Sequence, residues 1–144
     1  VALRSLYAIC DELRHRARLR HGDSDAAWGR HAEDLAHRHL QSLGMTVVER
    51  NWVSPAGREE IDLIAWDGDT LVFVEVKSRH DVEYGDPERA LDRAKFRHVC
   101  TAARHFLDAW HLPPERARFD LVTVVFEPFE IRYTPNAWGW ADGD

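Results

Sequence analysis

An α/β sandwich built around a mixed sheet is the fold this sequence predicts, and two patterns predict it. Apolar residues recur at helical spacing in two long segments and alternate at strand spacing in five others. The order of those segments is helix, three strands, helix, two strands. A length of 144 residues, 44% apolar and 31% charged, suits one such domain with a real core and argues against disorder or a fibrous repeat.

Residues 1–25 read as an N-terminal helical appendage: Leu3, Leu6, Ile9 and Leu13 sit at helical spacing, and the run from His15 to His21 is basic. That run is either a solvated helix face or a phosphate contact. Gly22 to Asp25 read as a stop and a new cap. Over 26–43, Trp28, Ala32, Leu35, Ala36, Leu40 and Leu43 form one apolar stripe, with Gly44 placed as the helix C-cap. Strands are expected over 45–53, 60–66 and 70–77, with a loop at Ser54 to Gly57 and a tight turn at Asp67-Gly68-Asp69. A polar loop over 78–85 leads to Asp86-Pro87, an N-cap and first-turn proline for a helix running to Trp110, and Pro113-Pro114 closes it. Strands over 118–126 and 129–133 turn at Glu127-Pro128. Residues 26–134 thus form the domain proper, and 135–144, with Trp138 and Trp140, show no period and read as an exposed tail.

Charge and composition narrow the function. Basic residues number 19 against 25 acidic ones, a net −6, so bulk positive charge cannot coat nucleic acid and any such contact is local. Cys10 and Cys100 have no CxxC or Cys/His spacing, which excludes a disulfide framework and a zinc knuckle. His31, His37 and His39 point to different sides of their helix and do not suggest a zinc site. The apolar stretch over 5–10 is shorter than a signal-peptide core, and no segment approaches the roughly 18 apolar residues that span a bilayer. A soluble, cytoplasmic protein with no membrane partner is expected.

The chemistry concentrates in Glu60-Ile61-Asp62-Leu63-Ile64 and Leu71-Val72-Phe73-Val74-Glu75-Val76-Lys77. Side chains alternate along a strand, so Glu60 and Asp62 share one face, as do Glu75 and Lys77. Closing the hairpin through Asp67 to Thr70 pairs Trp66 with Leu71, sets Asp62 opposite Glu75 and Glu60 opposite Lys77, and crowds three carboxylates and an ammonium at one end of an apolar sheet. A cross-strand ion pair is one reading. The other is a divalent metal, which offsets the cost of burying carboxylates. Mg²⁺ or Mn²⁺ would take Asp62, Glu75 and the carbonyl of Val76 as a hard-oxygen half-shell, leaving water positions toward a phosphate, with Lys77 stabilising developing charge. The chain uses Arg 17 times and Lys only at 77 and 95. Lysine is a compact charge that changes protonation state, which arginine does not, so its choice here favours chemistry.

Lys95 projects near the middle of the apolar face of the second long helix, from which it snorkels to the edge or reaches a charged site beneath. Arg89, Arg93, Arg97 and Arg104 fall in a band on the opposite side, a solvated face or a phosphate stripe. Glu33, at the edge of the first helix's apolar stripe, is positioned to lend a carboxylate to the same site. Arg79, Tyr84 and Gly85 follow Lys77 in a loop placed to contact substrate.

Taken together, Asp62, Glu75-Val76-Lys77, the upstream Glu33 and the following helix resemble the PD-(D/E)XK nuclease signature. More narrowly, the chain resembles the endonuclease-like YraN family of small bacterial proteins, from about Trp28 to Val125. The carriers are Gly29 and Glu33, Arg50-Asn51-Trp52, Glu60 to Ile64, Val72 to Arg79, Tyr84-Gly85, Lys95 and Arg118-Phe119-Asp120. The resemblance implies a restriction-endonuclease-like αβββαβ core similar to archaeal Holliday-junction resolvases. It further implies Asp62 and Glu75 as metal ligands, Lys77 as the catalytic lysine and Glu33 as an auxiliary acid. One position departs from the family pattern: Glu59 stands where the family has Gly, adding a carboxylate that would repel phosphate or alter the preceding turn. The expected function is Mg²⁺- or Mn²⁺-dependent hydrolysis of DNA phosphodiester bonds in repair or recombination, and the alternative is a binding or assembly module that keeps the fold without cutting. Junction-cutting relatives work as symmetric dimers, for which the tryptophan tail or the N-terminal helix would supply an interface.

Overall fold

A computed structural model describes residues 2–22, 24–81 and 93–143. Helices α1 (Ala2–His21) and α2 (Ser24–Ser42) precede strands β1 (Thr46–Val53), β2 (Glu60–Asp67) and β3 (Thr70–Asp81). Helix α3 (Arg93–Ala109) then leads, through a 3-10 turn at Pro114–Arg116, to β4 (Ala117–Glu127) and β5 (Phe129–Trp138), and a second 3-10 turn follows at Trp140–Gly143. The sheet order is β1-β2-β3-β4-β5, with β3 and β4 parallel and every other pair antiparallel. The expected α/β fold with a mixed sheet is the one observed, and from α2 onward its elements follow in the expected order.

The sheet is covered on both faces. Ala32, Ala36 and Leu40 of α2 pack on Leu63, Ala65, Val72, Val74, Val122 and Val124, the two alanines letting the helix lie close. Val99, Ala102, Ala103, Phe106 and Leu107 of α3 pack on Ile64, Leu71, Phe73, Phe119 and Leu121. Gly44, at φ +90, ends α2 in a Schellman motif: Gly44 N–H donates to the Gln41 carbonyl at 3.0 Å and Met45 N–H to that of Leu40 at 3.1 Å. Helix α1 docks on α2 through Arg18 to Asp34 (3.0 Å) and Asp11 to Arg38 (2.9 Å), and through the stacked rings of His15 and His31, 4.0 Å apart. In the basic run, the half-buried Arg18 is therefore engaged with Asp34 of α2, and Arg16 pairs with Glu12.

Several boundaries move. Strand β3 continues four residues beyond Lys77 because Ser78, Arg79 and Asp81 pair with Val124, Val125 and Glu127 of β4, so Arg79 stands on a strand and not in a loop. Strand β5 runs on to Trp138. There the ladder with β4 is interrupted between Phe119 and Leu121, and the buried Asp120 carboxylate accepts the Asn136 N–H at 3.0 Å, covering a donor the ladder leaves open. Arg118 and the Tyr133 hydroxyl bind the same carboxylate, and Arg118 also reaches Asp67 in the β2–β3 turn at 2.9 Å.

The tryptophan tail is not the exposed surface the sequence suggested. Trp138 is 5% exposed and stacks on Phe119, while Trp140 sits edge-on to Phe119 with Arg104 over its ring. Strand pairing and aromatic packing draw in a segment that has no period of its own, and Arg104 leaves the proposed arginine stripe for a ring face. The Asp86-Pro87 helix start, Tyr84, Gly85 and Arg89 lie outside the described residues.

Trp138→Ala should lower stability by about 3 kcal/mol in urea denaturation, as expected for a large aromatic removed from a packed core. A loss under about 1 kcal/mol would show that the C-terminal segment is not part of the cooperative unit.

Candidate active site

The site is made where the β2–β3 ladder stops. Its pairing runs from Asp67 with Thr70 to Leu63 with Val74 and includes no further pair. Beyond it, the Asp62 carboxylate accepts the Val76 N–H at 2.8 Å, replacing a strand-to-strand bond with a side-chain one. The expected pairing of Glu60 with Lys77 does not form. Glu60 is exposed and lines an open cleft of about 330 Å³ with Glu33, Asn51 and Gly29. Once Asp62 takes over the bond to Val76, the strand ends separate and the acid at 60 is carried away from β3.

Glu75 is the buried centre. It is 3% exposed, and among the described residues its Oε2 has no hydrogen-bond partner. Lys95 Nζ lies 3.4 Å and Lys77 Nζ 3.9 Å from its Oε1. Burial, followed by the negative charge of Asp62, pushes the Glu75 carboxyl up to about 8, against the pull of the two lysines. Two carboxylates are both acceptors, so Asp62 and Glu75 share a hydrogen bond only while one carries a proton. Lys95 therefore takes the second of its two expected courses and reaches the acid beneath α3. Thr123, paired with Lys77 across β3 and β4, leaves a second buried oxygen without a partner among the described residues.

Strand β1 supplies the other wall. Its left-handed residue Asn51, at φ +50, stands opposite Asp62, between the Arg50–Leu63 and Trp52–Ile61 pairs. Asn51 donates its side-chain N–H to Glu33 Oε2 at 3.1 Å, while Arg50 spans Asp34 at 2.8 Å and Glu33 at 3.7 Å. Burial raises the Glu33 carboxyl above its ordinary range, the Asn51 bond works the other way, and Asp62 adds to the rise. Burial also opposes ionisation of Asp34, but the hydrogen bonds from Arg50 and Arg18 outweigh it and hold that carboxyl low. Asn51 was not singled out as a site residue from the sequence; a small polar residue able to adopt φ > 0 inside an otherwise strand-like run was the available signal.

Of the expected site residues, Asp62, Glu75, Val76, Lys77 and Lys95 come together, and Glu33 approaches from α2 through its bond to Asn51, which stands opposite Asp62. Arg93 and Arg97 are exposed on α3. Glu59 turns its carboxylate to the Ser54 hydroxyl at 2.7 Å, so the extra acid is spent on its own loop. Among the described residues, no group of three or more His, Cys, Asp or Glu side chains is placed to hold a metal by itself. The donor set on hand is two carboxylates and the Val76 carbonyl, which suits a hard cation that keeps several waters.

These features define a class: an α/β protein with a buried and a half-buried acid side by side, and two lysines, where its central antiparallel strands part. The chain belongs to the UPF0102 family, the YraN-like group its sequence resembles, since residues 32–124 match the family described as "Uncharacterised protein family UPF0102". Among its relatives, a "UPF0102 protein" of Solibacter usitatus is 44% identical over 122 residues, 85% of this chain and 88% of the relative. Another from Rhodococcus opacus is 44% identical over 99 residues, 69% and 82% of the two chains, and one from Paracidovorax citrulli is 48% identical over 100 residues, 68% and 73%. Helix α1 lies outside the matched family region.

Because folding raises the Glu75 carboxyl, the folded protein keeps a proton there that the unfolded chain gives up. The resulting stability penalty is absent below about pH 4.5, grows as pH rises, and is complete above about pH 8. Glu75→Gln removes it. In chelator-treated protein, the melting temperature of the variant relative to the parent should climb between pH 5 and 8 and exceed it by at least about 3 °C at pH 8. A difference that is flat across that range would show that Glu75 is ionised throughout.

Proposed function

We propose that the protein is a Mg²⁺- or Mn²⁺-dependent nuclease that hydrolyses DNA phosphodiester bonds. The observation that carries this reading is the buried Glu75 Oε2, without a partner among the described residues, beside the Asp62 carboxylate. An acid pair of this kind is costly in a packed sheet unless a cation or a transferable proton compensates. Asp62, Glu75 and the Val76 carbonyl would hold the cation, which when bound supplies Lewis acidity toward a phosphate and its attacking water.

The remaining roles belong to this chain's own groups. Glu75, its carboxyl raised to about 8, holds a proton at neutral pH that it would give up to ligate a cation. Lys77 Nζ, a third exposed, is close enough to the acid pair to donate to a phosphate oxygen as charge develops. Lys95 Nζ, 3.4 Å from Glu75 Oε1 on the α3 side, would offset the negative charge that appears when Glu75 ionises. Glu33, held by Asn51 and Arg50, lines the adjoining cleft and is placed as the auxiliary acid. Arg79, Arg93 and Arg97, with Arg89, are the proposed backbone-phosphate contacts. A symmetric pair of subunits, with α1 as the interface, belongs to the same proposal.

The ion pairs of Glu75 with Lys77 and Lys95 favour a second reading, because they partly neutralise the acid without any metal. On that reading the protein binds nucleic acid, or acts in assembly, without cutting. Calorimetric titration with Mn²⁺, followed by cleavage assays on branched, flapped and single-stranded DNA, separates the two. The nuclease reading expects Asp62→Ala to abolish both metal binding and cleavage with the fold intact, and Lys77→Ala to keep metal binding while cleavage falls at least about 100-fold. DNA binding that survives Asp62→Ala and falls with Arg93→Ala and Arg97→Ala, with no cleavage by the parent protein, would establish the second reading instead.

A further inference from the structure

We infer that a second site, an aromatic bay between β1 and the end of α3, binds an organic cation of the alkylated-ammonium class. The bay has a volume of about 430 Å³ and is walled by Trp52, Trp66, Phe106 and Trp110, with Val48 and Glu49 at its β1 side. Concave, largely apolar cavities of this size with one well-placed polar group are the usual form of small-ligand sites. Trp110 is 67% exposed, a large apolar surface left uncovered at the mouth.

The charge of the bay decides what it takes. Glu49 is the single charged residue among its lining residues, and among the described residues it has no ion-pair partner. It faces the bay because β1 is irregular: Val47 pairs with Ala65 and Glu49 with Ile64, so Val48 is an extra residue, a β-bulge. Without the bulge, Glu49 would share the α2 face with Val47. With it, Val48 and Glu49 both line the bay, and Arg50 turns to the acids of α2.

Indole faces carry partial negative charge and attract cations, and the carboxylate adds a full one. Phosphate-bearing ligands are repelled by the same group. A small inorganic cation or a bare ammonium would surrender strong hydration on entering apolar walls, whereas an alkylated ammonium is weakly hydrated and presents methyl groups to the rings. Phe106 stands eleven residues along α3 from Lys95, about 17 Å at helical rise, so the bay is separate from the acid pair.

The test uses the full chain and choline, with 3,3-dimethylbutanol as its neutral isostere, followed by the indole N–H signals of Trp52, Trp66 and Trp110. Glu49 and Trp110 are both exposed, so Glu49→Gln and Trp110→Ala should fold, which circular dichroism checks. Saturable choline binding is expected, with the isostere weaker by about tenfold and with each substitution lowering choline affinity by about three- to tenfold. Running trimethyllysine amide beside choline assigns the source, since tighter binding of the former points to a side chain of a protein partner and of the latter to a free cation. Absent saturation, equal affinity for the isostere, indifference to Glu49→Gln, or preference for a nucleoside monophosphate would each overturn the inference.

Discussion

The acid cluster and the aromatic bay of this molecule both depend on the irregularity of one edge strand. A regular β1 would alternate its side chains between the α2 and α3 faces from end to end. The bulge at Val48 and the left-handed backbone of Asn51 shift that alternation twice within a few residues. Arg50 and Asn51 thereby both reach the α2 side, where they hold Asp34 and Glu33, and Trp52 is returned to the α3 side against Phe106. Opposite Asn51, β2 shows the matching break: Ile61 packs with the α3-side core and Leu63 with the α2-side core, leaving Asp62 between them to bond the Val76 N–H. One strand thus holds Glu33 in place, faces the residue that parts β2 from β3, and builds a wall of the aromatic bay.

That arrangement sets stability against chemistry. The central strands β3 and β4 are apolar on both faces and support the whole sheet, yet Glu75 is embedded in β3 with one oxygen unpartnered among the described residues. Its raised carboxyl reflects the cost of that placement, and Lys77 and Lys95 offset only part of it. The Asp120 cluster behaves differently: it is equally buried, but Arg118, Tyr133 and Asn136 all donate to it. A carboxylate with its donors in place holds strands together, and a carboxylate left short of donors is available to something else.

Legibility followed the range of the interactions involved. The Asp62, Glu75 and Lys77 set was readable because strand alternation and a tight turn are local, and the turn at Asp67 to Thr70 fixed the register through Leu63 and Val74. The length of β3 and β5 was not, since residues 78–81 and 134–138 become strand only by pairing with β4, which is distant from the former in sequence and bulged against the latter. Trp138 and Trp140 read as exposed for the same reason: nothing near them in the chain indicates that Phe119 would receive both rings.

By itself, the sequence determined the α/β class, the order of its elements from the first amphipathic helix onward, the tight hairpin and the acid-and-lysine pattern on neighbouring strands, because each is written in short-range periodicity and turn chemistry. The tertiary structure decided which acid is buried and which is released to solvent, the approach of Lys95 to Glu75, the role of Asn51 beside Glu33 and the gathering of three tryptophans around Glu49. Those outcomes depend on a one-residue bulge, a single left-handed residue and contacts between distant segments. Their energies are realised only when the sheet closes between its helices.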